Sequence, residues 1–149
     1  MEICLFEPEI AQNAGTIARL CVCFGIDMSI IEPSSFILTD KNFKRAGMDY
    51  LQKTNIKLHS SFAEFKKQYQ GRIILFDTKA TKNYYDFQFQ NTDCLIFGKE
   101  SIGIPREIFK QCDEALVIPM IKDARSLNLA ITVAIGLSEA IRQIHKHLS

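Results

Sequence analysis

Long apolar runs are the first thing this sequence lacks. None approaches the roughly 18 to 20 residues needed to span a bilayer, and Glu2 stands where a signal peptide carries positive charge. A cytoplasmic protein with no membrane partner is therefore expected. An excess of charge of either sign is lacking too. Eighteen Lys and Arg against 17 Asp and Glu leave a formal net charge of +1, so any grip on nucleic acid must come from local clusters, because that affinity rests largely on neutralised phosphates. The five cysteines (Cys4, Cys21, Cys23, Cys94, Cys112) contain no C-x-x-C pair, and four of them sit in apolar stretches, so buried reduced thiols are expected. Cys21 and Cys23 lie two apart on an expected helix and face different directions, and His59, His145 and His147 have no ligand spacing; no metal site is expected. Neither G-x-x-x-x-G-K-S/T nor G-x-G-x-x-G occurs, which weakens nucleoside-triphosphate and dinucleotide readings.

What the chain does have is alternation. Its 149 residues, 47% hydrophobic and 23% charged, suit one domain over 1–149 with a sizeable core. β-rich runs at Glu2–Phe6, Met28–Glu32, Asn55–Leu58, Arg72–Asp77, Asp93–Phe97 and Glu114–Pro119 alternate with helical patterns at Gln12–Phe24, Asp40–Ala46, Ser61–Tyr69, Arg106–Gln111 and Ser126–His147. Ser61 with Glu64 forms a capping box, and Pro105 suits a first helical turn. Such alternation predicts an α/β fold, a mainly parallel sheet with helices on both faces. The irregular stretch 80–91 reads as a connection anchored by Tyr84, Tyr85, Phe87 and Phe89. The densest basic cluster is Lys41, Lys44 and Arg45, on one side of a short helix capped by Asp40, and a solvated helix face competes with RNA contact there.

Three junctions carry the chemistry. Asn13-Ala14-Gly15-Thr16-Ile17-Ala18-Arg19 lies beside the first strand, Phe97-Gly98-Lys99-Glu100-Ser101-Ile102-Gly103-Ile104-Pro105 follows a central one, and Ile118-Pro119-Met120 runs on through Arg125-Ser126-Leu127-Asn128-Leu129-Ala130 into the last helix. Glycine-bearing strand ends leave main-chain groups free at the carboxyl edge of a sheet, where apolar side chains can cover a nucleotide's faces. One composite site is therefore expected. Gly15 and Arg19, one turn apart, are expected to face its mouth with Asn13 near the helix start.

In order and spacing these junctions resemble the three signature motifs of the SPOUT (SpoU-TrmD) RNA methyltransferases, from Ile3 to about Ile144. The resemblance implies S-adenosyl-L-methionine as methyl donor and S-adenosyl-L-homocysteine as product, held in a C-terminal deep trefoil knot. It carries cofactor contacts onto Phe76, Gly98, Gly103, Ile118, Met120, Ser126 and Leu127, and catalytic roles onto Arg19, Glu100 and Asn128. Asn13, Lys41, Lys44, Arg45 and Arg125 would meet RNA. Arginine, with a pKa above about 12, serves poorly as a base, so Arg19 is expected to hold the phosphate and the developing 2′-oxyanion. Glu100 is expected to orient Arg19 or a backbone amide. Lys99 stands where relatives commonly have Pro, which should tune the loop.

Glu7-Pro8-Glu9-Ile10, Ile31-Glu32-Pro33 and Arg45-Ala46-Gly47-Met48-Asp49-Tyr50 further resemble the stand-alone members that 2′-O-methylate cytidine or uridine at the wobble position of the tRNA anticodon stem-loop. Such members are homodimers, in which Arg19 of one subunit would face the cofactor of the other. The rival readings are a 2′-O-methyltransferase for ribosomal RNA or another tRNA position, and a non-catalytic RNA-binding or assembly factor on the same fold.

Overall fold

A computed structural model describes residues 1–145. The expectations for Lys146 and His147 at the end of the last helix lie outside the described residues.

Seven strands, β1 (Glu2–Phe6), β2 (Asp27–Ile31), β3 (Ile56–His59), β4 (Ile73–Phe76), β5 (Lys82–Asn83), β6 (Cys94–Phe97) and β7 (Glu114–Val117), form one sheet in the order β3-β2-β1-β6-β4-β7-β5, every pair parallel. The central strands β1, β6 and β4 are buried along their whole length, as two-sided covering requires. Period-two alternation divides their side chains. Ile3 and Leu5 of β1 pack with Ala14 and Ile17 of α1 (Ala11–Phe24) and with Val133 and Leu137 of α5 (Leu129–His145). Cys4 and Phe6 point the other way, towards Phe62 and Phe65 of α3 (Phe62–Gln68) and towards α4 (Arg106–Phe109). The expected α/β architecture with helices on both faces is thus present.

α2 (Lys41–Gly47) is capped by Asp40, whose Oδ1 accepts from the amides of Asn42 (2.7 Å) and Phe43 (3.2 Å). It lies on α1 through Gly15, where an added Cβ would come within 2.4 Å of the Phe43 carbonyl oxygen and 2.8 Å of Ala46 Cβ. A short 3-10 turn, Met48–Lys53, follows.

Several boundaries differ from expectation for local reasons. α5 begins at Leu129, not Ser126, because Asn128 caps it: Oδ1 accepts from the amides of Ala130 (2.9 Å) and Ile131 (3.3 Å). Ser126 and Leu127 stay outside the helix, exposed. The stretch 80–91 holds the two-residue strand β5, paired with β7 at Lys82↔Leu116 and Asn83↔Val117. Its anchors are Phe87 and Phe89, both buried, and the half-buried Tyr84, packed against the core beside Phe76, whereas Tyr85 is exposed. Ser61 caps α3 as expected, but the Glu64 carboxylate reaches back to the amide and hydroxyl of Ser60. Pro105 caps α4 from outside the helix.

No disulfide joins the cysteines; Cys4, Cys21 and Cys94 are buried. Burial pushes the Cys21 and Cys112 thiols up to about 12, which keeps them from acting as thiolates.

Candidate functional site

The strand order reverses direction at the β1/β6 boundary, and in open parallel sheets the crevice beyond the carboxyl ends at such a boundary hosts ligands. A cavity of about 620 Å³ opens beside it, over the carboxyl ends of β6, β4 and β7 and against the start of α1. Its floor is apolar: Phe76 and Phe97 stack at 5.1 Å between ring centres, with Leu116 and Leu129 beside them. The loop after β6 supplies Gly98 to Gly103, the loop after β4 supplies Asp77 to Lys79, and the segment between β7 and α5 supplies Ile118, Met120 and Arg125 to Asn128.

All seven residues expected at a cofactor line this one cavity, as do Glu100, Asn128, Asn13 and Arg125. The loop's own fold requires glycine at position 98. An added Cβ would come within 2.4 Å of the Gly103 carbonyl carbon and 2.7 Å of the Ile104 amide nitrogen, so the loop folds directly against itself. Gly103 completes that fold at φ +72°, a conformation suited to glycine.

A chain of polar contacts joins the three junctions. The Asn128 side-chain amide donates to Asn13 Oδ1 (3.0 Å), and Asn13 Nδ2 donates to Glu100 Oε1 (3.3 Å). The Glu100 carboxylate also accepts from the amides of Glu9 (2.9 Å) and Ile10 (3.1 Å). Ile10 has no capping side chain of its own, so Glu100 supplies the carboxylate that the N-terminus of α1 favours. Of its two expected roles, Glu100 takes the backbone one. The same loops are fastened twice more: Lys99 Nζ meets Glu7 Oε2 at 2.5 Å, and the Glu9 carboxylate accepts from the amide and hydroxyl of Ser101, both at 2.8 Å. The Glu7 contact raises the Lys99 ammonium, and the Ser101 hydrogen bonds lower the Glu9 carboxyl.

Arg19 does not join this group. The expectation that Gly15 and Arg19 face the mouth of the site does not hold within one chain: Gly15 meets α2, and Arg19 lies exposed against Met48 and Tyr50, outside the cavity lining. Lys41, Lys44 and Arg45 lie on that same α1–α2 surface, exposed and with no acidic partner among the described residues. Asp77, Lys79, Ile102 and Thr132, not among the expected residues, also line the wall. Asp77 and Lys79 carry a sequence signal in their place at the carboxyl end of a central strand; Thr132, on a helix, carries none. Among the described residues no cluster of three His, Cys, Asp or Glu side chains is placed to hold a metal ion, and no helix is long and apolar enough to cross a membrane.

The sequence profile of the SpoU rRNA methylase family matches residues 1–138. The chain belongs to the SpoU rRNA methylase family. Within it, the chain is similar to the tRNA (cytidine(34)-2′-O)-methyltransferase of Beijerinckia indica, 42% identical over 145 residues that cover 95% of this chain and 91% of that one. The enzyme of the same name from Escherichia coli K12 is 37% identical over 97% of this chain and 94% of its own. A solved structure concerned with 2-OH methylation of C/U34 on tRNA superposes with a TM-score of 0.91 at 38% identity, covering 95% of this chain and 94% of that chain. The AviRb SpoU methyltransferase of Streptomyces viridochromogenes, solved with AdoMet, shares the fold at a TM-score of 0.89 and 22% identity, over 96% of this chain and 57% of its own.

Proposed function

We propose that this SpoU-family chain 2′-O-methylates the ribose of the wobble nucleotide, position 34, of tRNA anticodons, with S-adenosyl-L-methionine as methyl donor. The observation that carries the reading is similarity at 37 to 42% identity over nearly the whole length of enzymes named for that reaction. The cavity suits the donor: about 620 Å³ lies within the range of small-molecule sites, and its floor of Phe76, Phe97, Leu116 and Leu129 can cover a purine. The Ser126 hydroxyl and Asp77 Oδ2 have no hydrogen-bond partner among the described residues, which leaves them open to a ligand's hydroxyl and ammonium groups. When bound, the donor supplies an electrophilic methyl group on a sulfonium and leaves as S-adenosyl-L-homocysteine.

The protein's work is then alignment and exclusion of water. Gly98 to Gly103 and Ile118 to Leu127 would hold the donor, in a carboxyl-terminal segment we infer to be knotted through the chain. Glu100, Asn13 and Asn128 hold the three junctions in register. Arg19, too basic to take the ribose proton, steadies the phosphate and the developing 2′-oxyanion, and the proton passes to water at the site's mouth or to a neighbouring group. Because Arg19 lies away from its own chain's cavity, a two-fold dimer that brings it to the partner's cavity fits best. Two α2 patches of Lys41, Lys44 and Arg45 would then grip one anticodon stem-loop in the cytoplasm, with Arg125 at the cavity rim.

The test is methylation of tRNA transcripts by the purified protein with labelled donor, followed by nucleoside mapping. Label at the ribose of nucleotide 34, absent when that nucleotide is 2′-deoxy, is expected. Label elsewhere, or only on ribosomal RNA, would sink the reading.

A further inference from the structure

Arg19 is held in place by groups that leave its charge intact. Its Nη1 lies 3.0 Å from Met48 Sδ, and its guanidinium carbon sits 5.3 Å from the centre of the Tyr50 ring. A ring face attracts a cation and orients it without accepting its proton donors as a carboxylate would. Arg72 and Arg142, by contrast, are neutralised: Arg72 grips Asp93 with two bonds of 2.8 Å, and Arg142 grips Glu139 at 2.7 and 2.8 Å. Arg19 Nε and Nη2 make no hydrogen bond among the described residues, so the donors that face outward remain available to an anionic oxygen.

Both partners come from the turn Met48–Lys53, which is rigidly sited. Met48 adopts φ +53°, a left-handed conformation that few non-glycine residues hold. Leu51 fills the space beside Gly47, where an added Cβ would meet its side chain at 2.4 Å, and α2 is locked on α1 at Gly15. Arg19 is thereby fixed relative to Lys41, Lys44 and Arg45.

We propose that Tyr50 is a positioning residue for Arg19: its ring face, with the Met48 sulfur as a second stop, holds an un-neutralised guanidinium in one orientation for the ribose-phosphate of the RNA. This rests on the role given to Arg19 above. A cation–π contact needs the ring and not the hydroxyl, which separates Tyr50→Phe from Tyr50→Leu.

The experiment compares the parent with Tyr50→Phe, Tyr50→Leu, Arg19→Ala and the Arg19→Ala/Tyr50→Leu double variant. For Tyr50→Leu, kcat on tRNA should fall roughly two- to fivefold, the size of an exposed cation–π contact, with donor affinity unchanged and no more than about a few degrees of Tm lost. Tyr50→Phe should match the parent. The double variant should be no worse than Arg19→Ala, since both act through one group. Independently of turnover, the Arg19 Nε–H resonance should be shifted by the ring in the parent and in Tyr50→Phe, and collapse to a solvent-like position in Tyr50→Leu. A parent-like kcat and an unmoved resonance in Tyr50→Leu, beside an inactive Arg19→Ala, would overturn the positioning role alone. A fully active Arg19→Ala would overturn the role of Arg19 itself, and the Tyr50 proposal with it.

Discussion

At the scale of single residues, Ser29 is the side chain whose loss the fold would feel out of proportion to its size. Buried in β2, it donates to the Glu2 carboxylate and lies 3.1 Å from His59 Nε2, and all three residues are buried. Ser29→Ala would leave a buried carboxylate without that donor, at an expected cost of about 1 to 3 kcal/mol in denaturant unfolding. An unchanged midpoint would mean that Glu2 reaches another partner. The catalytic expectations were legible at this scale as residue types but not as contacts. Glu100 and Asn128 could be singled out from their junctions, yet the partners of Glu100 depend on Ile10 leaving α1 uncapped and on a loop some 90 residues later returning to cap it, and Asn128 finds Asn13 only once α1 and α5 lie side by side. Nothing local in the sequence announces that return. The same holds for Arg19, whose neighbours Met48 and Tyr50 come from the turn after α2.

Among elements, the tightest joint is α1 on α2. Gly15→Ala would push its Cβ against the Phe43 carbonyl and Ala46. The expected result is a stability loss of about 1 to 3 kcal/mol and weaker tRNA binding with unchanged donor affinity, since α2 would be displaced while the cavity would not. Calorimetry for the donor and filter binding for tRNA separate the two; equal loss of both would contradict the division of labour. The loops after β1 and β6 carry a pH signature. Ser101 lowers the Glu9 carboxyl below its ordinary value of 4.5, so the stabilisation is fully present above about 4.5 and is lost as pH falls through the lowered value. Glu9→Gln should therefore unfold with a shallower loss of Tm than the parent below pH about 4.5 and run parallel to it near pH 7; identical curves would dismiss the contact. The main strands and helices were legible because their apolar periods are strong. β5 was not, since two residues carry no period, and the start of α5 was set by the Asn128 side chain, which reads equally as helix or cap.

For the whole molecule, the parallel sheet and its two helical layers followed from alternation, but the order β3-β2-β1-β6-β4-β7-β5 did not, because short strands of similar composition do not name their partners. If Arg19 serves the partner's cavity, two inactive variants should complement. Mixing Arg19→Ala with Ile118→Trp, which fills the cavity wall, gives heterodimers with one intact composite site, so equal mixing should restore about a quarter of the parent's activity. No recovery after confirmed subunit exchange would place both functions in one chain. The pairing of β1 with β6 has a further consequence, for synthesis. Ile3 meets Leu95, so β1, once out of the ribosome, must wait for a partner some 90 residues downstream. At roughly 5 to 20 residues per second, that apolar strand edge stays open for several seconds in every nascent chain. Slow, non-local closure of this kind is where chaperones act and where misassembly begins.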